Sequence, residues 1–264
     1  MENSLVYVYC VSNSPFERNL TMEFKGLKTI MINNFHLPVK YVSEDEFSEE
    51  NFKINLSNIQ WVETHAMEHT DVINMSMENN TVIPFKFGTI FRSEDSLEKF
   101  VTDHSVSFNE NFTQIKEKEE WAVKIYCNIK TLSEQIDELS ESCASLEKKI
   151  MASSPGKAYL LERKKTILIE NEVERLCKYF GQTYYDAFKQ VSEETCLNNL
   201  LPNEYTGRTD KMILNATFLV WKNKVKDFKN TLAAMVKKAR NHGFSIETTG
   251  PWPLFSFVTI NEQL

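Results

Sequence analysis

The chain has 264 residues, of which 42% are hydrophobic, 25% charged and 12% aromatic, with 18 Phe, and this composition excludes disordered and collagen-like chains. Thirty basic residues against 37 acidic give a formal charge of −7, which argues against a general nucleic-acid-binding surface, and no apolar run approaches the roughly 18 residues of a membrane helix. At roughly 150 residues per domain the length predicts one large domain or two small ones. Only seven Gly and seven Pro leave few loops, so most of the chain must lie in helices and strands.

Residues 4–11 (Ser-Leu-Val-Tyr-Val-Tyr-Cys-Val) are β-branched and aromatic and end at Ser12-Asn13-Ser14-Pro15, which predicts a first strand. No basic region precedes it and no small-residue cleavage site follows it, so it does not read as a secretion signal. Residues 27–32 and 37–42 flank Asn33-Asn34 and predict a strand pair, followed by a helix beginning in the acidic stretch 43–50. Ile59, Val62, Ala66, His69, Val72 and Ile73 recur at helical spacing up to Asn79-Asn80. Residues 81–91 return to strand character, with Pro84 admissible only at an edge or bulge. Ser93 or Ser96 caps a helix carrying Leu97, Phe100, Val101, Phe108 and Phe112. The polar run Lys116-Glu117-Lys118-Glu119-Glu120 then places a domain boundary near residue 118.

The second half opens with a strand at 121–127. Leu132, Ile136, Leu139, Cys143, Leu146 and Ile150 alternate steps of four and three, the seam of a helix about 30 Å long. Ser153-Ser154-Pro155-Gly156 stops it, and a second helix from Lys157 carries Leu161, Leu168, Leu176, Phe180 and Phe188, so residues 131–190 predict a helical hairpin. After a short extended piece at 197–201 come a strand at 212–220, a helix with Val225, Phe228, Leu232, Met235, Val236 and Ala239 on one stripe, Gly243 as its C-cap, and a strand at 244–249. The predicted class is α+β in two domains. Residues 1–118 form an N-terminal α+β domain, and 119–264 form a C-terminal domain in the β-α-β-β-α-β order of a modified ferredoxin-like fold whose first crossover is enlarged into the hairpin.

Catalytic signatures are absent: there is no GxGxxG, GxxxxGK[ST], GxSxG or HExxH. His65 and His69 lie at i, i+4 with Glu68 between them, which suits either a metal pair or one partly buried and one solvated histidine; no third ligand accompanies them. No catalytic residue, cofactor or metal is therefore assigned. The five cysteines are odd in number and lack a CxxC pair, which fits a reducing cytosol, and Cys127, Cys143 and Cys177 read as small hydrophobes on apolar faces. Residues 222–240 hold seven basic residues against Asp227, a surface suited to acidic partners or simply to solvation.

Two segments stand out as candidate partner-binding sites. Around Pro84, Phe85, Lys86, Phe87 and Gly88, a proline blocks one ladder bond, bulky apolar residues surround a lysine, and the glycine permits a bulge. In Gly250, Pro251, Trp252, Pro253, Leu254 and Phe255, two prolines frame a tryptophan that either staples the domains together or anchors a hydrophobic partner.

Residues 81–91 (TVIPFKFGTIF), the strand opening Glu120-Trp121-Ala122-Val123-Lys124, the run Pro155-Gly156-Lys157-Ala158-Tyr159-Leu160 and the terminal Thr249-Gly250-Pro251-Trp252-Pro253 with Phe257-Val258 occur in an order that resembles the GvpF/GvpL family of gas vesicle proteins. The opening Tyr7-Val8-Tyr9 strand and the His69 helix also fit. Lys86 and Lys157 stand where Arg is common, and Leu254-Phe255 replaces a Pro followed by an aromatic; Lys86 thus keeps the charge without a bidentate fork. The resemblance implies a non-enzymatic accessory or minor structural component of gas vesicles with two α+β domains, the second ferredoxin-like. It further implies association with the shell protein GvpA during nucleation, protection of GvpA from aggregation, and contact with other accessory proteins. Two other classes predict different structures: an enzyme predicts an interdomain pocket with convergent titratable groups, and a coiled-coil adaptor predicts an intermolecular 132–150 seam.

Overall fold

The computed structural model describes residues 4–16 and 20–260. It divides into two compact units, one running up to Glu119 and resuming at Pro251, the other spanning Glu120–Gly250. The chain from Pro251 thus groups with the first unit, whereas the expected second domain ran on to residue 264.

In the first unit β1 (Ser4–Val8) and β2 (Cys10–Ser12) form one extended run interrupted at Tyr9. After α1 (Leu20–Glu23), β3 (Leu27–Ile32) and β4 (Phe35–Ser43) make the expected hairpin, with Asn33 at φ +55° in its turn, a conformation Asn tolerates. β4 pairs antiparallel with both β1 and β2. The Ser43 hydroxyl caps α2 (Glu44–Phe47), which is followed by α3 (Glu49–Asn55) and by α4 (Ile59–Met77), itself capped by Asn58.

Residues 82–91 then run back along the other side of the first strand. They form two short pieces, β5 (Val82–Pro84) on β2 and β6 (Ile90–Phe91) on β1, where the sequence predicted one strand. Pro84, opposite Cys10, stands at a non-hydrogen-bonded position where no N–H is required, the Phe85 N–H still donates to the Tyr9 carbonyl at 3.0 Å, and residues 85–89 then loop out between the pieces. β5 and β6 end the strand order, so Pro84 does sit at an edge. The next predicted helix is likewise two, α5 (Glu94–Asp103), with a Ser93–Ser96 capping box, and α6 (Ser105–Ile115), separated by His104 outside helical geometry.

Helices cover both faces of this sheet. On β4 the neighbouring residues Lys40 and Tyr41 point opposite ways, Lys40 to Glu68 of α4 and Tyr41 to Glu94 of α5. Phe35, Phe85, Phe100 and Phe108 pack together under α5 and α6, while Tyr7, Tyr9, Val72 and Ile73 pack under α4.

In the second unit β7 (Lys118–Cys127) begins three residues before the expected strand, so the polar run at 116–120 is partly sheet. Its sheet is completed by β8 (Glu194–Leu197), β9 (Lys211–Trp221) and β10 (Phe244–Trp252), in the order β10-β7-β9-β8. The helices are α7 (Ile129–Glu134), α8 (Ile136–Leu139), α9 (Glu141–Met151), α10 (Pro155–Lys189), α11 (Asn203–Thr206) and α12 (Val225–Arg240). The first hairpin arm is therefore not one continuous helix. Gln135 and Ser140 break it, and the Ser140 side chain caps α9 by accepting from the Cys143 amide. The second arm begins at Pro155 rather than Lys157, because proline at the first helical position needs no N–H partner.

Alternate residues Trp121, Val123, Ile125 and Cys127 of β7 and Leu214, Ala216, Phe218 and Val220 of β9 face a core completed by Leu176, Cys177, Tyr184 and Phe188 of α10 and Phe228 of α12. Gly181 lets α10 press against β9: a Cβ there would lie 2.9 Å from the Ile213 carbonyl oxygen.

Candidate functional site

One histidine ties the 85–89 loop to α4. Helical spacing on α4 turns Val72, Ile73 and His69 toward the sheet, and His69 arrives beneath Tyr7 and Phe85. Its Nε2–H donates to the Phe85 carbonyl at 3.0 Å, because a carbonyl only accepts; Nδ1 then accepts from the Tyr7 hydroxyl at 2.9 Å. Tyr7 Oη in turn accepts the Gly88 amide at 3.1 Å. Burial drives the His69 pKa down to about 4, with the Phe85 contact opposing it, so the imidazole is neutral at pH 7. Both ring nitrogens are committed to the fold, and His65 is engaged separately, its Nδ1–H donating to the Trp61 carbonyl at 2.8 Å. Among the described residues no group of three or more His, Cys, Asp or Glu side chains converges as a metal site requires.

This arrangement sorts the first candidate segment. Pro84 and Phe85 are buried, Phe85 against Phe100 and Phe108, and cannot face a partner. Phe87 is half-buried against Trp61, Phe52 and His69. Gly88 has φ +84°, and a Cβ would fall 2.4 Å from the Phe52 ring, so a side chain is excluded on both counts. Lys86 is exposed. In the second segment Gly250 and Pro251 are exposed, Trp252 is 41% and Phe255 45% exposed, and Pro253 and Leu254 are buried. The candidate surface therefore narrows to Lys86 and to Trp252 and Phe255 with their flanking Gly250 and Pro251. On α12 the basic residues Lys229, Lys237 and Arg240 border a shallow groove floored by Leu232 and Val236.

The sequence reading missed a second cluster. Between β1, β4, α2 and α4 lies a cleft of about 230 Å³ bordered by Tyr9, Lys40, Glu46, Phe47, His65 and Glu68. Lys40 Nζ donates to both Glu68 oxygens at 2.8 and 2.9 Å, and Tyr9 Oη donates to the same carboxylate at 2.7 Å. Burial raises Glu68, but these bonds and the Lys40 charge outweigh it and hold the carboxyl below its usual range. The spacing Tyr7/Tyr9 on a strand and His65/Glu68/His69 on a helix was the available signal; Lys40 gave none until β4 was paired.

The class defined by these features is a mixed α+β protein of two sheet-and-helix units, and no described helix is long and apolar enough to cross a membrane. The model of the gas vesicle synthesis protein GvpL/GvpF family matches residues 5–259, and the chain belongs to that family. Gas vesicle protein L of Streptomyces sp. (strain CB03234) is 21% identical over 264 residues, covering 98% of this chain and 94% of that protein. The crystal structure of the gas vesicle protein GvpF from Anabaena sp. PCC7120 superposes with a TM-score of 0.71 at 16% identity, covering 97% of this chain and 99% of that one. That of GvpF from Microcystis aeruginosa gives 0.65 at 17% identity with the same coverage. The structural likenesses establish the fold.

Proposed function

We propose that this chain is an accessory or minor structural protein of gas vesicles that binds the shell protein GvpA, keeps it from aggregating, and assists nucleation and assembly without catalysing a reaction. It acts in the cytoplasm and at the vesicle, with other accessory proteins as further partners. The observation that carries the reading is the family match along residues 5–259, within which Trp252 and Phe255 remain exposed. A shell subunit with a large apolar face needs cover before assembly, and a pair of exposed aromatics in a proline-stiffened frame supplies an anchor at low entropic cost. Lys86 and the basic residues of α12 supply steering toward acidic surfaces. The same reading takes residue 118 as the boundary before a C-terminal modified ferredoxin-like domain, which the order β10-β7-β9-β8 supports.

The coiled-coil alternative needs the 132–150 seam on the outside, but Leu132, Ile136 and Cys143 are buried in the second unit's own core. The enzyme alternative calls for convergent titratable groups free to react; within the first unit Glu68 is held by Lys40 and Tyr9, and His69, outside that cleft, by two hydrogen bonds. Co-expression with tagged GvpA, followed by pull-down and a GvpA solubility assay, tests the proposal. Retention and solubilisation of GvpA support it; failure of both contradicts it.

A further inference from the structure

We propose that the protein associates with itself by docking α4 of one copy, in antiparallel register, along the first half of α10 of a second copy. The two helices carry exposed stripes of opposite charge. On α10, Lys165 turns to Asp137 of α8 and Glu147 of α9 at 2.6 and 2.9 Å, and Leu168 and Ile169 turn to the second unit's core. Helical periodicity then gathers Lys157, Leu160, Arg163, Lys164 and Ile167 on the outward side, all of them exposed. The buried residues of α10 begin only at Val173. On α4, His69, Val72 and Ile73 face inward, and Ile59, Glu63, Met67 and Asp71, four residues apart, line an exposed side. Leu160, Ile167, Ile59 and Met67 are each at least 60% exposed. Among the described residues none of Lys157, Arg163, Lys164, Glu63 and Asp71 has an ion-pair partner. A single exposed leucine is ordinary; large apolar side chains repeating at helical spacing among unpaired charges form a face that suits another helix.

Register selects the occupant. At 1.5 Å per residue, Lys157, Leu160, Lys164 and Ile167 stand at about 0, 4.5, 10.5 and 15 Å along α10, and Asp71, Met67, Glu63 and Ile59, taken in reverse, at about 0, 6, 12 and 18 Å along α4. Antiparallel docking therefore sets Lys157 opposite Asp71, Leu160 opposite Met67, Lys164 opposite Glu63 and Ile167 opposite Ile59, with offsets of at most about 3 Å that side chains absorb. Arg163 adds a second cation toward Glu63. Parallel docking would set Ile59 against Lys157 and Asp71 against Ile167. The chain thus supplies both halves of one contact, in charge and in apolar spacing. Each copy carries both stripes, so two copies make the contact twice or further copies add in a row.

Sedimentation velocity of the full-length chain, from about 1 µM to about 1 mM, measures the association. The sedimentation coefficient is expected to rise with concentration, and less steeply in about 0.5 M than in about 0.05 M NaCl. Glu63→Lys/Asp71→Lys makes the α4 stripe basic, and Lys157→Glu/Arg163→Glu/Lys164→Glu makes the α10 stripe acidic; each is expected to weaken association about tenfold or more. Mixing the two variants restores it, because the basic α4 of one meets the acidic α10 of the other, and a chain carrying both sets of substitutions associates again. Both variants stay net negative, so general attraction does not restore it, and thermal melts within a few degrees of the parent's show that they are folded. A parent chain that stays monomeric throughout, association indifferent to both reversals, or variants that fail to associate when mixed overturns the proposal. Loss in the α10 variant with none in the α4 variant assigns the α10 stripe to a different acidic surface and overturns it as well. The experiment contains no GvpA, so its outcome is separate from that of the GvpA assay.

Discussion

His69 holds α4, β1 and the 85–89 loop together through hydrogen bonds at both ring nitrogens, and this makes the first unit sensitive to acid. Its folded pKa of about 4 lies below the usual 6.5, so above pH 6.5 the ring is neutral in both states and the contribution to stability is complete. As pH falls from 6.5 to 4 the unfolded chain gains the proton and the folded chain does not, and stability drops by about 1.4 kcal/mol per pH unit. Below pH 4 the folded ring also protonates and the loss levels off. Urea denaturation at pH 7 and pH 5 is expected to show a difference smaller by about 2 kcal/mol in His69→Gln than in the parent chain. Gly88→Ala combines a strained φ with a ring clash and is expected to cost about 2–3 kcal/mol, read as a lowered denaturation midpoint. The i, i+4 spacing of His65 and His69 was legible as a shared helix face. Their partners were not, because Tyr7 and Phe85 are brought to His69 by strand pairing rather than by proximity in the chain.

Most strands and helices announce themselves by period: alternate apolar residues in β7 and β9, the four-and-three seam on α7 to α9, and the stripe on α12. Their interruptions do not. A heptad seam records which residues face inward, and Leu132, Ile136 and Cys143 face inward whether or not the backbone stays helical between them. The break at Ser140 is decided by a local cap, so Ser140→Ala is expected to cost about 1 kcal/mol in urea denaturation. Ile136→Asp places a charge at a position 2% exposed and is expected to destabilise the protein by more than about 4 kcal/mol without changing its oligomeric state in light scattering. A zipper would respond the other way, dissociating while its protomers stayed folded. The loop within 81–91 was hidden for a related reason, since its residues are as apolar as a strand and only Pro84 and Gly88 mark the departure.

At the scale of the molecule, the α+β class was legible from the order of predicted strands and helices and the family from four motifs that occur in order along the chain; the family model matches residues 5–259. Surface was harder to read than core: Phe85 and Trp252 are both large aromatics beside prolines, yet one is buried and the other 41% exposed. Burial depends on what the rest of the sheet places overhead. The proposed anchor for GvpA is the exposed pair Trp252 and Phe255. The most direct measurement is co-expression of tagged GvpA with the parent chain and with Trp252→Ala/Phe255→Ala, comparing the GvpA retained and kept soluble, with the variant's thermal melt as a control. The expected result is capture of soluble GvpA by the parent chain and at least a tenfold loss in a variant whose melting temperature is within a few degrees of the parent's. Undiminished capture by the folded variant would contradict the aromatic anchor, and no capture by either chain would contradict the GvpA assignment itself.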